Sequence, residues 1–396
     1  MGLRIFEQNP QPHSSHIIMK QIDMNPVKHK VDALRDASIK IILENQASSG
    51  AYIASPNFPV YNYCWFRDGS FIADAMSVSG ELESAVRFHG WATKVINGQV
   101  LVIKGLLEKQ ENGIAIQPEE HLHCRFTVDG KESAEDWTNF QLDGFGTWLW
   151  SLDEFSKRGF QLSRATLEAA NLLIPYLSTF WREPSFDWWE ESFGYQHVST
   201  LVAIATGLER CAHWDQLSDE ARNLAFEASN EIRAYVLENG VHHSRLSKWV
   251  GSDSLDGSLS ACISPFHFFQ PGSALANATL ESVASELKVY GTYRHKRDVY
   301  YGGGSWIILS AFLGLGFAES GELERAEKIL SWITHIANER NEIPEQLNDH
   351  LLFPAFESEW IAKWGAPAVP LLWSHAMFLK LLAVIENLGG PHYVNS

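Results

Sequence analysis

The sequence predicts an all-α fold, a closed array of about a dozen helices with a small β excursion. Two observations carry this. Apolar residues recur at steps of three and four along most of the 396 residues, whereas strand-like alternation is confined to Ile114–Ile116 and Cys124–Val128, beside NG and DG turn pairs. Polar, aromatic motifs at 61–68, 136–143, 187–191, 253–258, 294–306 and 345–346 recur at intervals of roughly 50–70 residues, about two helices and their connections. Each lies just before an apolar helix. Where inner and outer helices alternate, the connections leading into inner helices emerge at one end, so these motifs converge on one face.

The elements follow in order. Residues 1–26 are polar and irregular and read as an N-terminal arm; 27–396 read as one domain, since no Pro/Ser/Gly-rich linker divides them. Helical periodicity covers 28–46, 69–80, 82–97, 139–157, 164–181 and 197–213. From Ser218, an N-cap, Leu224, Ala228, Ile232, Tyr235 and Val236 form an apolar stripe that stops at Gly240. A weaker helix is read at 258–264, then helices at 276–288 and 304–318. Leu323, Ala326, Ile329, Leu330, Ile333 and Ile336 repeat the stripe, a long loop runs from Leu351 to Pro370, and a last helix covers 370–387.

Composition narrows the function. There are 48 acidic against 31 basic residues, a formal charge of -17, and no Lys/Arg cluster, which argues against a nucleic-acid partner. With 45% apolar and 20% charged residues, disorder is excluded. The longest apolar stretch, Ser305 to Ala318, is broken by glycines and falls short of the roughly 20 residues that span a bilayer. The start, MGLRIFEQNPQP, has no apolar leader core, so a soluble, cytoplasmic protein without a membrane partner is expected. Cys64, Cys124, Cys211 and Cys262 form no C-x-x-C pair and read as reduced thiols. The 15 tryptophans outnumber the 11 tyrosines, and indole faces suit both core packing and stacking on sugar rings.

The motifs supply candidate chemistry. In Asp187–Gly194, two tryptophans precede Glu190 and Glu191. An indole wall against one carboxyl disfavours its ionisation, as a general acid near neutrality requires; the plainer reading is a helix N-terminus with acidic residues on the dipole. Pro344-Glu345-Gln346 offers a carboxylate beside an amide, suited to holding a water, or else an ordinary turn. In 61–71, Arg67 and Asp68 present a donor fork and an acceptor fit for vicinal hydroxyls, approached by Tyr61, Tyr63 and Trp65. Asp68 as an N-cap is the alternative. Trp137, Gln141 and Asp143 add a further loop-to-helix cluster, in which Asp143 also reads as a cap. His121 and His123, with Cys124, Glu119 and Glu120, are the main metal-like group, but no second ligand group follows at suitable spacing, and His242-His243 is a weaker candidate still.

Five ordered motifs together are far more specific than any one. Tyr61-x-x-x-Trp65-x-Arg67-Asp68, Phe126-x-Val128-Asp129-Gly130 running on to Trp137-x-x-x-Gln141-x-Asp143-Gly144, Asp187-x-Trp189-Glu190-Glu191, Pro344-Glu345-Gln346 and Leu371-x-Trp373-Ser374-His375-Ala376 resemble the glucoamylase-type glycoside hydrolases of family 15. The resemblance covers about residues 28–387. It implies an (α/α)6 barrel and an inverting exo-α-glucosidase that releases β-glucose from a non-reducing end, with no metal and no cofactor. It places the general acid on Glu190 and the general base on Glu345, the terminal glucose on Arg67 and Asp68 with Tyr61 and Trp65, and the leaving-group side on Glu191. Trp137, Trp189, Arg294 and Trp373 join the same substrate-binding set. Inversion needs the two carboxyls about 6.5–9.5 Å apart, with room for a water. One departure concerns Tyr293–Tyr300, where starch-cleaving members carry an acidic residue and this chain has Arg297. Short single-domain relatives act on small saccharides, so the expected partner is a short α-glucoside, isomaltose or an isomalto-oligosaccharide first, with α-1,4 glucosides and trehalose behind. An inactive sugar-binding regulator on the same fold is the reading from another class, and an epimerase or lyase using His197 or His375 is a third.

Overall fold

The computed structural model of the chain describes residues 25–133, 135 and 137–390. The arm expected at 1–26 therefore lies outside the described residues except for its last two, which open the first helix. Thirteen α-helices are present among the described residues. They are α1 (Asn25–Glu44), α2 (Phe66–Val78), α3 (Leu82–Gly98), α4 (Val100–Glu111), α5 (Asp143–Lys157), α6 (Arg164–Phe180) and α7 (Val198–Cys211), followed by α8 (Asp219–Asn239), α9 (Ala274–Glu286), α10 (Ile307–Glu319), α11 (Leu323–Ile336), α12 (Glu357–Trp364) and α13 (Leu372–Asn387).

The helices close a double ring. Inside, α2 packs on α5, α5 on α7, α7 on a 3-10 helix (Gly257–Cys262), that helix on α10, α10 on α13, and α13 back on α2. Outside, α3 backs α2, α6 backs α5, α8 backs α7, α9 backs the 3-10 helix, α11 backs α10 and α1 backs α13. This is the (α/α)6 architecture, and burial follows it. Residues 66–77 of α2 and 307–318 of α10 are buried on every side, as a helix enclosed by neighbours must be. Outer α11 buries only Ala326, Ile329, Leu330, Ile333 and Thr334, one stripe at steps of three and four. Ser163, Ser218 and Ser273 cap outer helices α6, α8 and α9 by accepting the backbone N–H three residues on. Inner α5 and α7 touch backbone to backbone, because a Cβ on Gly207 would stand 2.3 Å from the Gly146 carbonyl oxygen.

Three expectations are corrected. Helix α4 was not foreseen: a single residue, Gln99, separates it from α3, and it exposes Leu101, so the apolar phase breaks. The expected loop 351–370 contains α12, which buries no residue fully and so carries no core stripe. Ile114–Ile116 forms no strand. In the second expected stretch only β2 (Arg125–Phe126) is a strand. It pairs with the distant β1 (Cys64–Trp65), while Asp129-Gly130 does make the turn, with Thr127 N donating to Lys131 O at 2.8 Å. After β3 (Val241–His242) and β4 (Arg245–Leu246), β5 (Ser305–Trp306) pairs with β6 (Gln346–Leu347). Strands β1 and β5 lead directly into inner helices α2 and α10, so these short pairings tie down the connections at the N-terminal end of the ring.

Candidate active site

At that end of the ring a cavity of about 600 Å³ opens, lined by the expected acid and base, Glu190 and Glu345, and by the expected substrate-binding residues Tyr61, Trp65, Arg67, Asp68, Trp137, Trp189, Glu191, Arg294 and Trp373, whereas Gln141, Asp143 and the nominated histidines do not line it. Its base is formed where α2 begins. Arg67 donates to Gln141 Oε1 (2.9 Å) and Asp143 Oδ2 (3.1 Å), pairs with Asp68 at 3.3 Å, and lies over the rings of Trp188 and Trp373. Asp143 therefore anchors the guanidinium and is not a cap. Asp68 is not one either: the N-cap of α2 is Trp65, without a side-chain cap bond, and Asp68 sits in the first turn facing the cavity. Burial lifts the Asp68 carboxyl to about 6, against the pull of Arg67.

Two further carboxyls meet this base from different elements. Trp65 Nε1 donates to Glu190 Oε1 at 2.5 Å, and the Tyr61 hydroxyl donates to Glu345 Oε1 at 2.7 Å. The rings of Tyr61 and Trp65 stand edge to face at 5.8 Å, so the carboxyls are linked through two aromatic neighbours, and no hydrogen bond joins them directly among the described residues. Burial raises the Glu345 carboxyl to about 7, although the Tyr61 hydrogen bond and the Arg294 charge oppose it. The indole contact at Glu190 differs from expectation: it is the N–H edge of Trp65, a donor, and not an apolar wall. Glu190 itself is left-handed, φ 62°, as is Ser192, φ 55°.

The opposite rim is basic and aromatic. Arg294 donates to Glu191 Oε1 at 3.0 Å and through Nε to Asp298 Oδ2 at 2.8 Å, and lies near the rings of Trp189, Tyr300 and Trp306. Burial raises the Glu191 carboxyl, but Arg294 and His295 outweigh it and hold it down to about 2. Arg297, which replaces the acidic residue of starch-cleaving members, faces solvent, and the acidic partner of Arg294 is the buried Asp298 one position on. Across the cavity, Trp137 stacks under the buried Arg125 at 3.8 Å. The indole N–H groups of Trp137, Trp306 and Trp373 and Glu345 Oε2 are buried with no partner among the described residues, the donors and acceptor that sugar hydroxyls and a water need.

Sequence reading missed several contributors. Tyr300 meets the Tyr61 hydroxyl at 3.1 Å; since Tyr61 donates to Glu345, Tyr300 donates to Tyr61. Trp360, Lys363 and Trp364 of α12 line the mouth, and the i, i+4 spacing of the two tryptophans was the available signal. The imidazoles of the metal-like pair serve packing: His121 stacks on Phe140 and meets the Tyr176 hydroxyl at 3.1 Å, and His123 faces Glu132. Among the described residues no helix is long and apolar enough to cross a membrane.

Comparisons with known proteins bear on the family and the fold. The sequence model described as Glycosyl hydrolases family 15 matches residues 28–344. The isomaltose glucohydrolase of Kribbella flavida is 41% identical over 347 residues, 86% of this chain and 89% of that protein. A glycosidase variant solved in complex with glucose superposes with a TM-score of 0.88 at 38% identity, covering 90% of this chain and 97% of that one. The glucoamylase of Saccharomycopsis fibuligera shares the fold, with a TM-score of 0.71 at 15% identity over 93% of this chain and 97% of that one. The chain belongs to the glycosyl hydrolases of family 15, enzymes that cleave glycosidic bonds.

Proposed function

We propose that the protein is an inverting exo-α-glucosidase that removes glucose from the non-reducing end of short α-glucosides, isomaltose first. The observation that carries this reading is the pair of carboxyls, Glu190 and Glu345, facing one cavity with the Arg67–Asp68 pair, each with its own aromatic donor. Glu190 protonates the glycosidic oxygen as it leaves. Glu345, held by Tyr61, takes a proton from a water that attacks the anomeric carbon from the other face, so the configuration inverts. The Arg67–Asp68 pair holds hydroxyls of the departing glucose, with Trp65 and Trp373 closing around the ring, while Trp137, Trp189, Glu191 and Arg294 bind the leaving-group sugar. The 41% identity to an isomaltose glucohydrolase favours the α-1,6 linkage over α-1,4 and α,α-1,1.

Proton NMR of the first product tests the mechanism: β-glucose must appear first, and α-glucose before mutarotation refutes inversion. A panel of isomaltose, maltose, nigerose, kojibiose, trehalose and panose, scored for free glucose, tests the substrate. Highest kcat/KM on isomaltose is expected, and binding of these sugars without hydrolysis would instead identify a retired sugar-binding protein.

A further inference from the structure

Behind the cavity wall lies a buried ionic cluster that the reaction scheme does not use. Lys248 Nζ stands 3.1 Å from Asp187 Oδ2 and 2.9 Å from Asp256 Oδ2, and all three side chains are 3–4% exposed. Lys248 does not line the cavity. Burying such a cluster is a poor route to stability alone, since apolar side chains of similar volume often serve as well or better. What it fixes is therefore informative.

Asp187 Oδ1 accepts the backbone N–H groups of Trp189 (3.0 Å) and Glu191 (2.9 Å), and the Asp187 carbonyl accepts that of Glu190 (3.0 Å). Asp256 accepts the Trp189 indole N–H at 3.0 Å and the Ser258 backbone N–H at 2.9 Å, which starts the inner 3-10 helix. Lys248 is itself set by its backbone, donating to Ser254 O (2.8 Å) and accepting from Val198 N (3.1 Å) at the start of α7. The turn so held contains two non-glycine residues at positive φ, Glu190 and Ser192, a strained conformation that persists only when its surroundings impose it.

We infer that Lys248 is a positioning residue: its ammonium clamps Asp187 to Asp256 and thereby holds the left-handed turn from which Glu190 meets the glycosidic oxygen. Without the ammonium, two buried carboxylates face each other unneutralised, and the turn loses the tie that fixes it to the inner ring.

This rests on the reading of Glu190 as the general acid, so the test varies how much the leaving group needs a proton. The glucose that isomaltose releases through its O6 would depart as an alkoxide and requires protonation, whereas α-glucosyl fluoride releases fluoride with little help. In the folded Lys248→Met variant, kcat on isomaltose is expected to fall at least tenfold further than kcat on the fluoride, with KM changing less, and Lys248→Arg restores most of the loss. Where Lys248→Met does not fold, Lys248→Gln is measured in the same way. Equal losses on both substrates, or no loss, overturn the inference. Glu190→Gln is the control: if it too is unselective, the acid assignment fails and the inference with it, whereas a selective Glu190→Gln beside an unselective Lys248→Met removes the inference alone.

Discussion

The two carboxyls of the cavity are framed by opposite kinds of chemistry. Around Glu190 the frame is ionic: a strained turn is tied by Asp187, Lys248 and Asp256, three charges buried together. Around Glu345 it is neutral. Ile343 N donates to His375 Nε2 (3.0 Å), Ser374 Oγ donates to Pro344 O (2.8 Å), Glu345 N donates to Ala368 O (2.9 Å), and Gln346 continues into β6 against β5. Burial keeps the His375 imidazole well below its usual range, to about 3, so it stays neutral; Nε2 then accepts, and Nδ1–H donates to Ser38 Oγ of outer helix α1 at 2.8 Å. The difference suits two tasks. A group that must give up a proton to an oxygen at one location needs its aim enforced, whereas a base whose proton affinity is raised by burial can be positioned by neutral hydrogen bonds, with the charges of Arg294, Asp68 and Asp298 acting on it through space.

The largest effect comes from removing each carboxyl. Glu190→Gln and Glu345→Gln each lower kcat on isomaltose by about 10²–10⁴ or more if the two act as acid and base. The comparison predicts different profiles: Glu345→Gln impairs every substrate, since water must always be activated, while Glu190→Gln spares substrates with good leaving groups. Steady-state kinetics on isomaltose and an activated glucoside check this. Full turnover in either variant takes that residue out of the mechanism.

Next in size is a stability effect confined to the neutral side. The Glu345 carboxyl titrates at about 7 in the folded chain against 4.5 when solvated, so between those values the native state binds more protons than the unfolded state and stability falls as pH rises. Above pH 7 the penalty reaches roughly 3 kcal/mol. Glu345→Gln abolishes that titration. Its stability relative to the parent protein should therefore climb between pH 4.5 and 8, as read from denaturant unfolding at each pH. A gap that stays constant across this range would mean that the carboxyl is not penalised in the fold.

Tyr61→Phe sharpens the same point. The hydroxyl it removes stabilises the Glu345 anion, a charge-assisted bond worth about 1.5 kcal/mol, or about one pH unit. Glu345 then needs a higher pH to ionise. The acid limb of the kcat/KM profile should move upward by about one unit, and an unmoved limb would assign it to another group, with Asp68 the next candidate.

How much of this was legible beforehand depended on distance along the chain. The outer helices could be read because they carry an apolar stripe and inner α10 because it is an apolar run of helix length, and the site because most of its motifs sit just before an inner helix. Unreadable were features made by partners far apart in sequence. Nothing local to Lys248 announces Asp187, and nothing local to His375 announces Ser38. The strand β1 finds its partner some 60 residues away, roughly the spacing of a helix pair, and two residues are too few for alternation to show. The expectation of an indole wall at Glu190 failed for a related reason: sequence identifies a neighbouring Trp but not which edge it presents, and here the relevant indole, Trp65, comes from another motif altogether.

The smallest predicted effect probes whether the neutral frame is redundant. Pro344 has no backbone N–H, so the segment carrying Glu345 has one handle fewer, and its carbonyl is held by Ser374 Oγ. Ser374→Ala removes one buried neutral hydrogen bond, worth about 1 kcal/mol in unfolding free energy. Three neighbouring ties remain: Ile343 to His375, Glu345 N to Ala368 O, and the β5–β6 pairing. If they share the load, kcat on isomaltose falls only a few-fold and the acid limb stays near its original pH. A loss approaching that of Glu345→Gln would mean instead that one hydroxyl aims the base, making the two sides of the cavity more alike than their charges suggest.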